Sequence, residues 1–150
     1  MSFEEKVTWV NTVTTVIVVA VYAWVVGGRI ADNAVADIAY QTPMLIAVGA
    51  IIVLTIAGVI AAAIGTAIGA EITGEGSVDD IDRKDERDIQ ISRRGDLVGY
   101  YVASAFMIGA LAVTMLDYAH FWIAHTIFVG LLVAGLTSSV VKLVTYRRGY

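Results

Sequence analysis

The feature that most constrains the fold is a set of four apolar stretches, each about as long as a membrane is thick. They cover about residues 7–26, 44–69, 97–116 and 121–144. The hydrocarbon core of a bilayer is about 30 Å thick and takes about 20 helical residues to cross. A chain of 150 residues that is 58% hydrophobic has more apolar surface than a soluble core of this size can hide. The sequence therefore predicts an all-α integral membrane protein, a four-helix bundle that forms one domain over residues 1–150.

Local signals place some of the helix ends. Thr42 can cap the second span, and Pro43, the only proline, suits its first turn. Only the four residues DYAH separate spans three and four, so these spans must form an antiparallel hairpin. The N-terminus lacks the basic region and the small-residue cleavage site of a signal peptide. We therefore expect the first span to remain as an anchor.

The distribution of Lys and Arg predicts the orientation, because cytoplasmic loops retain positive charge. Apart from Arg29, every Lys and Arg lies before span one, between spans two and three, or at the end of span four and beyond. This predicts a multi-pass protein of the cytoplasmic membrane with both termini in the cytoplasm. The Trp and Tyr residues near the span ends agree with this orientation, because they fall into two groups, one at each membrane surface. Trp9, Tyr100, Tyr101 and Tyr146 lie at the inner edge, and Trp24, Tyr40, Tyr118 and Trp122 lie at the outer edge.

Half of the charged residues lie in the segment DDIDRKDERDIQISRRGD, residues 79–96. After the break GEGS, the pattern predicts a charged cytoplasmic helix over residues 77–96, with acidic and basic residues on opposite faces. The candidate partner-binding residues are Asp85, Glu86 and Asp88, and the candidate lipid-facing residues are Arg83, Arg87 and Arg94. An Arg face can lie against anionic headgroups, at about 1 kcal/mol per basic residue. The alternative is a solvated helix held by weak ion pairs four residues apart.

The same segment carries a resemblance. The order of two spans, an acidic linker, K-D-E-R-D-x-x-I and two further spans resembles small uncharacterised four-span membrane proteins of bacteria and archaea that carry a D-E-R core before the third span. The resemblance rests on Asp85, Glu86 and Arg87, with Ile89 or Ile91, and on their spacing to the third span. It implies a four-span fold and no particular activity.

Small residues recur every four positions in two of the spans. The second span has Ala57, Ala61, Gly65 and Gly69, and the fourth has Gly130, Ala134 and Ser138. Helices in lipid associate where small residues allow close approach of their backbones. These stripes predict helix packing, either inside one four-helix bundle or between copies in a homo-oligomer.

Few residues suggest chemistry. Asp117, His120 and His125 are weak metal-ligand candidates near the outer surface, and interfacial histidines are the alternative interpretation. The net charge of −4 argues against nucleic acid as a partner. Catalytic triads, phosphate-binding loops and zinc-protease motifs are missing from the sequence, so we expect no enzymatic activity and no cofactor.

Two functions remain open at this point. The first is a small regulatory or scaffolding subunit that acts through the charged helix, contacts membrane lipids, and assembles with itself or with another membrane protein. The second is a homo-oligomeric channel or transporter for a small solute or ion. No ionisable residue lies near the middle of a predicted span, which disfavours a proton-coupled transporter.

Overall fold

The computed structural model describes residues 2–32, 35–73 and 86–148, which form four long helices. These are α1 (Phe3–Asp32), α2 (Gln41–Thr73), α3 (Glu86–Met115) and α4 (His120–Arg148), with a short 3-10 helix at Val35–Asp37 before α2. Each long helix contains a stretch long and apolar enough to cross a membrane. The prediction of an all-α chain with four membrane-length helices is therefore confirmed.

The helices extend beyond the predicted spans, and α3 does so most clearly. It begins at Glu86 and continues to Met115 without interruption. The described part of the charged segment, residues 86–96, therefore forms the first turns of α3. It is continuous with the third span and is not a separate helix. Residues 77–85 of the predicted charged helix, which include Arg83 and Asp85, lie outside the described residues.

The four helices pack as a row of two hairpins. The largest interface joins α3 to α4, the next joins α1 to α2, and a smaller one joins α1 to α4. The order across the row is thus α2, α1, α4, α3. As the edge helix beside α1, α2 has only 6% of its most apolar stretch buried, compared with 28% for α4. Among the four helices, α2 is therefore the least buried.

Small residues bring α3 and α4 together. A Cβ atom at Gly99 would lie 3.0 Å from the carbonyl oxygen of Ala134, and one at Gly130 would overlap Phe106. Ala134 and Ser138 are buried. The small residues of α4 thus serve packing within the chain, which is one of the two roles expected for them.

The turn between α3 and α4 is closed by a backbone motif around Asp117. This residue has a positive φ of 53°, a left-handed conformation that Asp tolerates better than most residues. The N–H of Tyr118 donates to the carbonyl of Val113, and the N–H of Asp117 donates to the carbonyl of Thr114. These two bonds form a Schellman motif, which satisfies carbonyls at the end of α3 and fixes the tight hairpin predicted from the sequence.

Two side-chain contacts hold α1 against α4, one near each end of the shared interface. The Tyr22 hydroxyl lies 2.7 Å from Nε2 of His125. The Arg147 guanidinium lies 5.7 Å from the centre of the Trp9 ring, within the range of a cation–π interaction. We call the two ends of the bundle the Trp9 end and the Trp24 end, after the two tryptophans of α1.

A compact cluster of buried side chains lies towards the Trp24 end. It includes three residues of α1, one from the segment before α2, one of α2 and two of α4: Val18, Tyr22, Val26, Ile38, Ala47, Phe121 and Phe128. Because this cluster joins both hairpins, it is the part of the molecule that most resembles a shared core.

Candidate functional site

The polar centre of the described chain is an ion pair between α3 and α4 at the Trp9 end. Nζ of Lys142 donates to Oδ1 of Asp96 over 2.8 Å. The hydroxyl of Ser138 donates to the same carboxylate oxygen over 3.2 Å, and that of Ser92 donates to Oδ2 over 3.3 Å. Asp96 is thus held by three donors. The Lys142 side chain is only 20% exposed, against 63% for Asp96, so water still reaches the pair.

A second contact of the charged segment lies two turns earlier. The Tyr146 hydroxyl donates to Oδ1 of Asp88 over 2.8 Å. Ile91, between Asp88 and Asp96 along α3, is completely buried. The face that carries Asp88, Ile91 and Asp96 is therefore turned towards the last turns of α4. Asp88, one of the candidate partner-binding residues, therefore has a hydrogen-bond partner within the chain.

Other charged residues of these turns are exposed, namely Glu86, Arg87 and Arg94. The exposed surface therefore carries an acidic residue together with the two basic ones. Among the candidate partner-binding residues, Asp88 is half-buried against α4 and Glu86 is exposed.

A polar crevice lies beside the ion pair, between α1, α3 and α4. Its volume is about 370 Å³. Besides Asp96 and Lys142, its polar lining includes Asn11, Ser138 and Ser139. Hydroxyls, an amide and an ion pair that line one crevice can bind a small polar molecule or ordered water. Asp96 also borders a neighbouring depression of about 280 Å³, where Glu4, Asp88, Ser92 and Arg93 supply the other polar groups.

The Trp24 end contains a histidine whose two ring nitrogens both have partners. Nδ1 of His125 lies 2.7 Å from the carbonyl oxygen of Phe121, which can only accept, so Nδ1 carries a hydrogen. In the neutral ring Nε2 then accepts from the Tyr22 hydroxyl. The ring also stacks on Phe121, with centroids 3.9 Å apart. His125 is therefore built into the α1–α4 contact, as the alternative interpretation of an interfacial histidine expected.

The other two weak metal-ligand candidates stand apart from His125 in their contacts. Asp117 forms the turn, His120 begins α4, and both are exposed. Within the described ranges, no group of three His, Asp or Glu side chains has the geometry to hold a metal ion.

Three of the four residues in the small-residue stripe of α2 are exposed. Ala57, Ala61 and Gly65 are exposed. A Cβ atom built at Gly65 or Gly69 would meet no neighbouring atom within 4 Å. The close approach between α1 and α2 occurs instead at Gly58, where a Cβ atom would lie 2.5 Å from the Val10 side chain.

Comparisons of the chain with protein-family models, with curated proteins and with solved structures find no match. The resemblance based on the D-E-R core therefore stays a prediction.

Several residues of the polar centre were not singled out from the sequence. Asp96, Ser92 and Lys142 appear there only as parts of a charged run or a span end. Gly95 and Gly99 are one helical turn apart on either side of Asp96, and this small-residue spacing was the available signal that Asp96 faces another helix.

Proposed function

We propose that the chain is a small scaffolding or regulatory subunit of the cytoplasmic membrane, with both termini in the cytoplasm, which assembles through the exposed face of α2. The observation that carries this proposal is the position of α2 at the edge of the row, with Ala57, Ala61 and Gly65 exposed along one stripe. Small residues of this kind let a second helix approach closely in lipid, where apolar surface alone gives no driving force.

The charged turns of α3 have a supporting role in this proposal. Arg87 and Arg94 are exposed next to a membrane span and can bind anionic headgroups. Asp88 and Asp96 hold the same turns against α4. The charged segment would then orient the subunit at the inner surface, while α2 makes the contact with a second copy or another membrane protein.

A photo-crosslinking amino acid placed on α2 tests the proposal. Positions Ala61 and Ile52 are nine residues apart and so lie on opposite sides of the helix, and both are exposed. In native membranes the probe at Ala61 should give a discrete product of higher mass, whereas the matched probe at Ile52 should give little. Mass spectrometry of that product identifies either a second copy or a partner. Equal yields at both positions would contradict assembly through the stripe.

The second candidate function is a homo-oligomeric channel or transporter for a small solute or ion. It is favoured by the polar crevice at the Trp9 end, where Asn11, Ser139 and the Asp96–Lys142 pair lie together. Purified protein in liposomes should pass no ion or solute if the chain is a scaffolding subunit. Flux that is abolished by Asp96→Asn would instead favour the second function.

A further inference from the structure

A long groove runs between α1 and α2 in the half of the bundle that ends at Arg29. Its volume is about 610 Å³, within the range of about 300–1,000 Å³ that is usual for ligand pockets. The lining is almost entirely apolar and includes Ile17, Val21 and Val25 of α1 and Ile46, Ala50 and Leu54 of α2. Tyr22 also contributes to the wall, and its hydroxyl is held by His125 behind it.

The length of the groove matches one leaflet of a bilayer. Its lining extends along α1 from Ile17 to Arg29 and along α2 from Thr42 to Leu54. At 1.5 Å per residue, each of these walls is about 18 Å long. The hydrocarbon of one leaflet is about 15 Å thick. Because Ile17 lies at the middle of α1, the groove runs from the membrane surface to about the centre of the bilayer.

Arg29 lies at the outer mouth of the groove. Trp24, five residues before it on α1, is 86% exposed and marks the interface at this end. Arg29 is about 7.5 Å further along the helix, which places it in the headgroup layer. Its guanidinium donates to the carbonyl of Ala39, which orients it at the mouth, and Thr42 lines the same end of the groove.

The order of groups along the groove matches the order of groups in a phospholipid. Apolar side chains line the inner part of the groove, and Arg29 and Thr42 lie at its surface end. A phospholipid in a bilayer likewise has its hydrocarbon towards the centre and its phosphate at the surface.

We propose that this groove binds one acyl chain of a phospholipid, with the lipid phosphate held by Arg29. The charge at the mouth is complementary to the phosphate, and a guanidinium forms bidentate bonds with phosphate oxygens. The chain lies against the apolar walls from the Val25 level inwards. Through its interaction with the phosphate, one basic residue near a membrane surface should make a phospholipid occupy the groove about five-fold more than a lipid without phosphate.

Photolabelling of the intact protein tests this proposal without any substitution. The protein is reconstituted into vesicles of phosphatidylcholine and phosphatidylglycerol that contain a trace phospholipid with a diazirine in one acyl chain. After irradiation, peptide mass spectrometry should find the label concentrated on Val21, Ala50 and Leu54, above Ile52 on the opposite side of α2. A diacylglycerol probe with the same chains but no phosphate should label these residues about five-fold less.

Variants then separate the roles of the mouth and of the walls. Arg29→Gln should reduce labelling by the phospholipid probe to the level of the diacylglycerol probe, and Arg29→Lys should restore part of it. Ala50→Phe should fill the groove and remove the label, whereas the matched variant Ile52→Phe should not. Uniform labelling of all exposed positions of α2, or crosslinks at Ala50 that join two copies of the chain, would overturn the proposal.

Discussion

Replacing Gly95 by Ala should weaken the contact between α3 and α4. A Cβ atom at this position would lie 2.5 Å from Cγ of Lys142 and 2.8 Å from the carbonyl oxygen of Ser138. The lysine side chain can move, although this disturbs its ion pair with Asp96. The carbonyl belongs to the backbone of α4 and can move only if the two helices separate. The substitution therefore forces a displacement of the main chain.

The expected magnitude follows from three opposing contributions. Overpacking of a tight contact costs about 1–3 kcal/mol. Disturbing the exposed Asp96–Lys142 pair adds at most about 1 kcal/mol. Ala has a higher helix propensity than Gly, which offsets about 1 kcal/mol. These contributions sum to a loss of about 0–3 kcal/mol in the free energy of unfolding for Gly95→Ala.

Gly65→Ala is the matched control, because a Cβ atom there meets no neighbouring atom within 4 Å. Only the propensity gain remains, so this variant should be more stable than the wild type by about 0.5–1 kcal/mol. The assay is reversible unfolding in mixed detergent micelles, followed by far-UV circular dichroism. Because both variants share the propensity gain, Gly95→Ala should be less stable than Gly65→Ala by at least about 1 kcal/mol. Equal stability of the two variants would refute the packing described for this interface.

Three further outcomes are expected. Tyr22→Phe removes the hydroxyl that donates to His125 and should lower the unfolding free energy by about 1 kcal/mol, whereas the exposed Tyr118→Phe should leave it unchanged in the same assay. Gly65→Leu should not lower the unfolding free energy of the monomer but should reduce the crosslinked product; a destabilised monomer would show that the stripe packs within the chain. For topology, a cysteine at Ser77 should be protected from an impermeant thiol reagent in intact cells and one at Asn33 should be labelled, and the reverse pattern would refute the orientation.

Much of the fold could be predicted from the sequence, because the length of an apolar stretch and the thickness of a bilayer are directly related. One hairpin could be predicted as well, because the four residues DYAH are too few to connect spans three and four in any but an antiparallel arrangement. The start of α3 was harder to predict, because Gly95 lies between Glu86 and the third span and glycine often interrupts a helix. In the structure the helix continues through Gly95, which packs closely against α4.

The polar centre could not be predicted from periodicity, because periodicity relates residues within one helix only. Asp96 and Lys142 are 2.8 Å apart in space but belong to different helices, and no spacing rule joins them. The two small-residue stripes show the same limit. Gly65 of α2 and Gly130 of α4 occur in similar patterns, yet only Gly130 lies against a neighbouring helix, because the order of helices in the row decides which stripe is covered.

The two contacts between α1 and α4 have a consequence for membranes of different thickness. Trp9 and Tyr22 are 13 residues apart on α1, or about 20 Å, and each is tied to a partner on α4. With both levels tied, the two hairpins cannot slide past one another along the membrane normal. In a thinner bilayer the protein must therefore tilt as one body or thicken the lipid around it, and in a thicker bilayer it must thin the surrounding lipid. The four-helix row therefore keeps a constant height along the membrane normal, and the lipid adapts to it.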